Sequence, residues 1–161
     1  MNSLEIEKVL EKYKWNRFKF LGCFAADILP TDINSEIPVC FIANVDELSE
    51  NGSHWVLFII PKEGQLEYFC PLGISFYHWP LFVNYIRNIM SFESIIMNRK
   101  RVQSLNSNLC GVFCIEFVIK RDKGNSFVLI VNSYSTKNFL CNDLQSVNFL
   151  KDLRFKITNN L

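Results

Sequence analysis

Only two histidines, six glycines and five prolines occur among the 161 residues, and no uninterrupted apolar run is longer than Trp55 to Ile60. That run falls far short of the ~18–20 residues a membrane-spanning helix needs, so no transmembrane segment and no membrane partner is expected. Two histidines, His54 and His78, are too few to complete a closed zinc site with Cys110 and Cys114, the one closely spaced cysteine pair, and no metal is expected. An excess of one charge is missing as well. Seventeen basic residues against sixteen acidic ones give a net charge of +1, so no global field drives nucleic-acid or membrane binding. The cluster Arg99, Lys100 and Arg101 reads as a solvated loop, which leaves DNA binding weakly supported. The first twenty residues alternate charge with apolar side chains and lack the apolar core and small-residue cleavage site of a secretory signal. The expectation is an intracellular chain whose six cysteines (23, 40, 70, 110, 114, 141) stay reduced, most of them as small buried hydrophobes.

What the sequence does contain is apolar bulk. Hydrophobic residues make up 49% and charged residues 20%, the balance of a packed globule. No repeat or low-complexity linker divides it, so residues 1–161 are expected to form a single domain and a monomer. A helix is predicted over about residues 3 to 14, with Asn2 and Glu5 at capping-box spacing. Strands are predicted over residues 18–23, 39–45, 54–60 and 66–70, separated by the turn signals Asn51-Gly52 and Glu63-Gly64. Residues 80–92 have helical period, and 95–102 read as a further strand. From Cys110 the chain is apolar nearly all round until Lys120, Arg121, Asp122 and Lys123, the pattern of a buried helix. The tail from Leu140 to Leu153 reads as mainly helical, while 127–131 is ambiguous by periodicity. The fold class is therefore α/β (α+β), a mixed central sheet flanked by helices.

Two segments carry possible chemistry. In Gln103 to Cys114 a polar, turn-rich loop runs directly into the buried helix with a cysteine at the junction. A thiol there feels the positive end of the helix, which favours the nucleophilic thiolate. Cys110 is thus a candidate nucleophile, the alternative being one more buried cysteine. In Gly52-Ser53-His54-Trp55 a histidine stands at the start of an apolar strand, where it could serve as the base for such a thiol. His78, beside Trp79 and Pro80, reads as a structural residue opening a helix.

These residues together resemble the adenovirus maturation proteases, the adenain family. The likeness rests on Gly52-Ser53-His54-Trp55 followed by an apolar strand, on Tyr68-Phe69-Cys70-Pro71-Leu72-Gly73, on Gln103 seven residues before the cysteine, and on Cys110-Gly111-Val112-Phe113-Cys114. Phe20-Leu21-Gly22 with Asp27, Val39 to Asn44, and the tail from Asn138 to Phe155 extend it over nearly the whole chain. The order His, acid, Gln, Cys also looks like the wider clan that includes the SUMO proteases. The resemblance implies a papain-like site in permuted order and cysteine endopeptidase (hydrolase) activity. Cys110 would be the nucleophile, His54 the base, and Gln103 with the Cys110 N–H the oxyanion hole. Trp55 and Gly111 would border a substrate groove suited to Gly-containing sites. The implied substrates are capsid or core precursor proteins, cleaved during virion maturation in the virion, host nucleus or cytoplasm.

Two departures stand out. The family orients its histidine with a carboxylate where this chain has Cys70, and a neutral thiol does not replace it. Alternation along the strand sends Glu67 to the opposite face, so a His54–Cys110 dyad is expected, with water, backbone or another group holding the ring. The family's activating peptide joins a cysteine shortly before the glutamine, but residues 91–102 contain none. Covalent peptide activation is therefore not supported; no cofactor is expected, and a peptide or DNA activator is possible but not supported by the sequence. A SUMO- or ubiquitin-like-protein protease is the near alternative. A catalytically weak pseudoprotease, kept as a virion or binding protein, is the distant one.

Overall fold

The computed structural model describes residues 1–31, 33, 36–62, 64–89 and 94–159. Its architecture follows from one helix that is apolar on every side and therefore has to be enclosed. That helix, α3 (Cys110–Asp122), lies against one face of a sheet. Around it pack α1 (Ser3–Leu10), α4 (Phe127–Ser133) and α5 (Phe139–Thr158). The sheet runs β1 (Lys19–Phe24), β2 (Val39–Asn44), β3 (Trp55–Ile60), β4 (Gln65–Phe69), β5 (Ser94–Met97), in that spatial order. β2, β3 and β4 form an antiparallel meander, and β1 and β5 join its two edges in parallel. Among the described residues a mixed five-stranded sheet with five α-helices forms, the α/β class expected from the sequence.

Both faces of the sheet are covered, so β2 is buried at every residue and its period-two signal disappears. Cys40, Ile42, Leu57, Ile59 and Phe69 meet α3 through Phe113 and Phe117. The Phe69 and Phe117 rings stack with centroids 4.0 Å apart. On the other face Phe41, Phe58 and Tyr68 pack on α2 (Pro80–Ile89) through Phe82 and Tyr85.

Element ends differ from the predictions for identifiable reasons. The capping box forms as expected, with Asn2 Oδ1 accepting from Glu5 N and Glu5 Oε2 from Asn2 N. α1, however, stops at Leu10 instead of near residue 14, because the Trp15 indole N–H takes the Leu10 carbonyl at 3.0 Å. The expected strand over 95–102 occupies only Ser94–Met97, because from residue 98 a side chain takes over the pairing with β4, as described below. Phe127 to Val131 resolves to helix, with Ser126 Oγ accepting from Leu129 N as its N-cap. The stretch of the predicted helix from Met90 to Phe92, and Glu63 of the second turn signal, lie outside the described residues. Among the described residues no helix is long and apolar enough to cross a membrane.

The far end of α3 is fixed by charge. Asp122 is 1% exposed and accepts from the backbone N–H groups of Asn16, Arg17 and Phe18 and from the Tyr13 hydroxyl. Hydrogen bonds to a carboxylate are the strong kind, and removing the acceptor leaves several donors buried and unmet. Asp122→Ala is expected to lower unfolding free energy by about 3 kcal/mol, seen as a fall in the urea midpoint with an unchanged slope.

Candidate active site

The N-terminal end of α3 and the start of β3 make contact through two thiols. Cys114 Sγ, fully buried, donates to the Trp55 carbonyl at 3.6 Å. One turn earlier stands Cys110, whose thiol pKa the Trp55 backbone N–H acts to lower. Since His54 is the residue just before Trp55, this contact brings the predicted base and the predicted nucleophile to the same end of the sheet. Gly111 is buried there: a Cβ at that position would stand 3.0 Å from Ile6 Cδ1 and 3.4 Å from Trp55 Cδ1. Its lack of a side chain lets α1 and Trp55 close on α3.

The protonation states of the pair are set mainly by burial. Cys110 is 7% exposed, and desolvation raises its pKa despite the Trp55 and Gly111 N–H groups, which pull the other way. The helix end thus does not suffice to make a standing thiolate, contrary to the sequence expectation. His54 is 8% exposed; burial lowers it to about 4, with Asp46 acting weakly in the opposite sense. At neutral pH both partners are uncharged, so the imidazole is available as a base.

The ring of His54 makes one hydrogen-bond contact among the described residues, Nε2 to Cys70 Sγ at 3.3 Å. The sequence left the holder of the ring to water, backbone or an unassigned group, and the structure puts the Cys70 sulfur in that place. Glu67 faces away as predicted, paired with Arg121 on the α3 side of the sheet.

Gln103 is buried, and its Nε2 donates to the Ser107 carbonyl at 2.6 Å, leaving a second amide hydrogen. Its Oε1 and the Ser107 hydroxyl are both buried without a protein partner. The loop carrying Gln103 is tied down on two sides. The Pro71 carbonyl accepts from Val102 N (2.8 Å) and Gln103 N (3.2 Å). From α5, Asn142 Nδ2 donates to the Val102 carbonyl (2.8 Å), and Asp143 accepts from Ser104 N (3.2 Å).

Sequence reasoning missed Asn98, Asn142 and Gly73. Asn98 ends the short apolar run Ile95 to Met97 and is followed by Arg99, Lys100 and Arg101, so nothing in the sequence sets it apart from the polar stretch. Gly73 has φ +70°, and a Cβ there would lie 2.7 Å from backbone atoms of Lys100 and Arg101. Of the basic cluster, Arg99 and Lys100 are exposed, while Arg101 stands over the Phe139 ring at 4.2 Å. His78 sits in a 3-10 turn over Phe76–His78, its ring directed at the Ser75 carbonyl and outside the site.

Trp55 is half-buried and its indole N–H donates to the Met1 carbonyl at 3.0 Å. It forms one wall of a cleft of about 540 Å³, bordered also by Met1 to Ser3, Phe24, Asp46 and Gly52. The lining of this cleft includes Cys23 but not Cys110, His54 or Gln103, and a larger concavity of about 740 Å³ between α1 and α5 is lined by neither cysteine nor histidine. No three His, Cys, Asp or Glu side chains among the described residues converge as a metal site.

No protein-family model and no curated protein matches the sequence. Among solved structures, the central domain of the uncharacterized Lpg1148 protein from Legionella pneumophila is similar, with a TM-score of 0.55 at 13% identity over 95% of this chain and 98% of that one. The ASFV pS273R protease matches with a TM-score of 0.45 at 17% identity over 68% of this chain, which spans 43% of that protein's length. At these identities the likeness concerns the fold alone.

Two outcomes follow from this geometry. Gly73→Ala is expected to push the 100–103 segment away, read as faster amide hydrogen exchange at Val102 and Gln103. The second concerns pH. His54 binds its proton in the unfolded chain below its ordinary 6.5 but in the folded protein only near 4. The unfolded state therefore takes up the extra proton in this window, and the stabilisation present above 6.5 is lost as pH falls toward 4. The loss is on the order of 2–3 kcal/mol, and the pH dependence of the urea midpoint should be shallower in His54→Gln.

Proposed function

We propose that this protein is a cysteine endopeptidase. The observation that carries the reading is the start of α3 held to β3 through the Cys114–Trp55 contact, one turn from Cys110 and one residue from His54, which supports a thiol at a helix start and a neutral imidazole at the same end of the sheet. In the reaction, His54 takes the Cys110 proton through Nδ1, the ring nitrogen not engaged by Cys70, as sulfur attacks the substrate carbonyl. The negative oxygen of the tetrahedral intermediate is met by the Cys110 N–H and by the second amide hydrogen of Gln103. The imidazolium then protonates the leaving amine, and water hydrolyses the thioester. Because the resting pair is uncharged, proton transfer accompanies attack instead of preceding it.

Trp55 closing on Gly111, the residue after Cys110, suits extended substrates with small residues at the scissile bond. With the sequence resemblance, this favours Gly-containing sites in protein precursors, viral structural proteins among them. The opposite reading, a catalytically weak relative, is favoured by one observation: among the described residues no carboxylate is hydrogen-bonded to the histidine. A peptide vinyl sulfone ending in Gly-Gly separates the two. Mass mapping should place the adduct on Cys110 in wild type and find it reduced roughly a hundredfold or more in His54→Ala. Adducts spread over several cysteines, indifferent to His54, would favour the binding-protein reading.

A further inference from the structure

The Cys70 sulfur faces the His54 imidazole, Nε2 at 3.3 Å, the position a carboxylate occupies elsewhere in catalysis. The turn that follows brings the backbone N–H groups of Ile74, Leu72 and Gly73 near enough to lower its pKa, Gly73 N itself donating to the Cys70 carbonyl at 2.8 Å. The buried Tyr68 hydroxyl lies beside the sulfur, short of hydrogen-bond geometry. Burial holds Cys70 as a thiol, with its pKa raised to about 11. A thiol in such a nest is placed to accept, and its own proton is the weak donor of the group.

The sulfur's location is itself fixed by one buried amide. Asn98, 3% exposed, accepts from Cys70 N at 2.9 Å, donates to the Cys70 carbonyl at 2.6 Å and donates to the Lys100 carbonyl at 3.0 Å. It continues the parallel ladder between β4 and β5 by one step, a side-chain amide standing in for the peptide unit. Because the side chain does this, the main chain is free to turn away at Asn98 toward the loop that carries Gln103. Pro71, next in sequence to Cys70, holds that loop through its carbonyl.

We propose that Cys70 is the positioning residue for His54, its sulfur accepting the Nε2 proton so that Nδ1 faces Cys110 as a base, and that Asn98 holds the sulfur in register for this. The proposal rests on the endopeptidase reading for its purpose but not for its test. A carboxylate can only accept and so fixes the imidazole tautomer. A thiol can also donate, so here the surrounding N–H groups have to supply the bias.

The test is ring ¹⁵N NMR of His54, assigned in the presence of His78→Gln since the chain has only two histidines. Wild type should show the Nε2–H tautomer at neutral pH. Cys70→Ser, which keeps an acceptor, should retain it, whereas Cys70→Ala should shift the ring toward a tautomer mixture. Asn98→Ala should move in the same direction with near-native circular dichroism. Cys70→Asp should keep the tautomer, raise the His54 pKa and accelerate alkylation of Cys110 by iodoacetamide at pH 7 about tenfold or more. Ring shifts in Cys70→Ala identical to wild type would overturn the role of Cys70. Unchanged shifts in Asn98→Ala would overturn that of Asn98. The NMR pattern persisting in a protein without peptidase activity would leave the positioning intact and remove the endopeptidase reading instead.

Discussion

The contact on which the site depends is between the backbone of one residue and one helical turn. The Trp55 carbonyl accepts from the Cys114 thiol and the Trp55 N–H acts on Cys110, and the two cysteines lie four residues apart and so on the same face of α3. Neither contact is strong by itself, because sulfur is a poor partner. Their position matters more than their energy. They set the height of the helix relative to the strand, and with it the separation of the Cys110 thiol on one from the His54 imidazole on the other. A one-residue slip of β3 against its neighbours would turn His54 toward α3 and Trp55 away from it.

That register is over-determined by the core. β3 is buried from Val56 onward and paired on both sides, with Phe58 stacked on Phe41 at 5.1 Å and Phe69 on Phe117 behind the sheet. Aromatic layers on both faces leave little freedom for sliding. The end of the sheet near His54 and Cys70 is instead held by polar groups: the Asn98 amide, the Pro71 carbonyl and Asn142 from α5. Packing thus sets the scaffold, and side-chain amides set the last few ångströms, where a pleated strand has already ended.

Much of this was legible in the residues. The apolar run after Cys110 marked α3 because a helix with no polar face has to be buried, and the alternation in β4 placed Glu67 and Cys70 on opposite faces. The link between Cys70 and His54 was not legible, because a buried cysteine carries no sequence signal that separates packing from contact with an imidazole. Asn98 and Asn142 were passed over for a related reason. An asparagine that imitates a peptide group looks in sequence like any turn residue, and its partners lie 28 and 40 positions away. The raised pKa of Cys110 was missed because the helix-end effect can be read from position, whereas desolvation depends on neighbours from α1 and β3.

Asp122 carries a consequence for the order of assembly. Its carboxylate collects backbone groups 104 to 106 residues earlier in the chain, where the segment after α1 leads into β1. The meander of β2, β3 and β4 joins neighbours in sequence and closes short loops, so it can form early. The parallel strand β1 gains its anchor only after α3 has been added. During synthesis the first two dozen residues therefore wait, and the edge of the meander that β1 will cover stays open until most of the protein has been made.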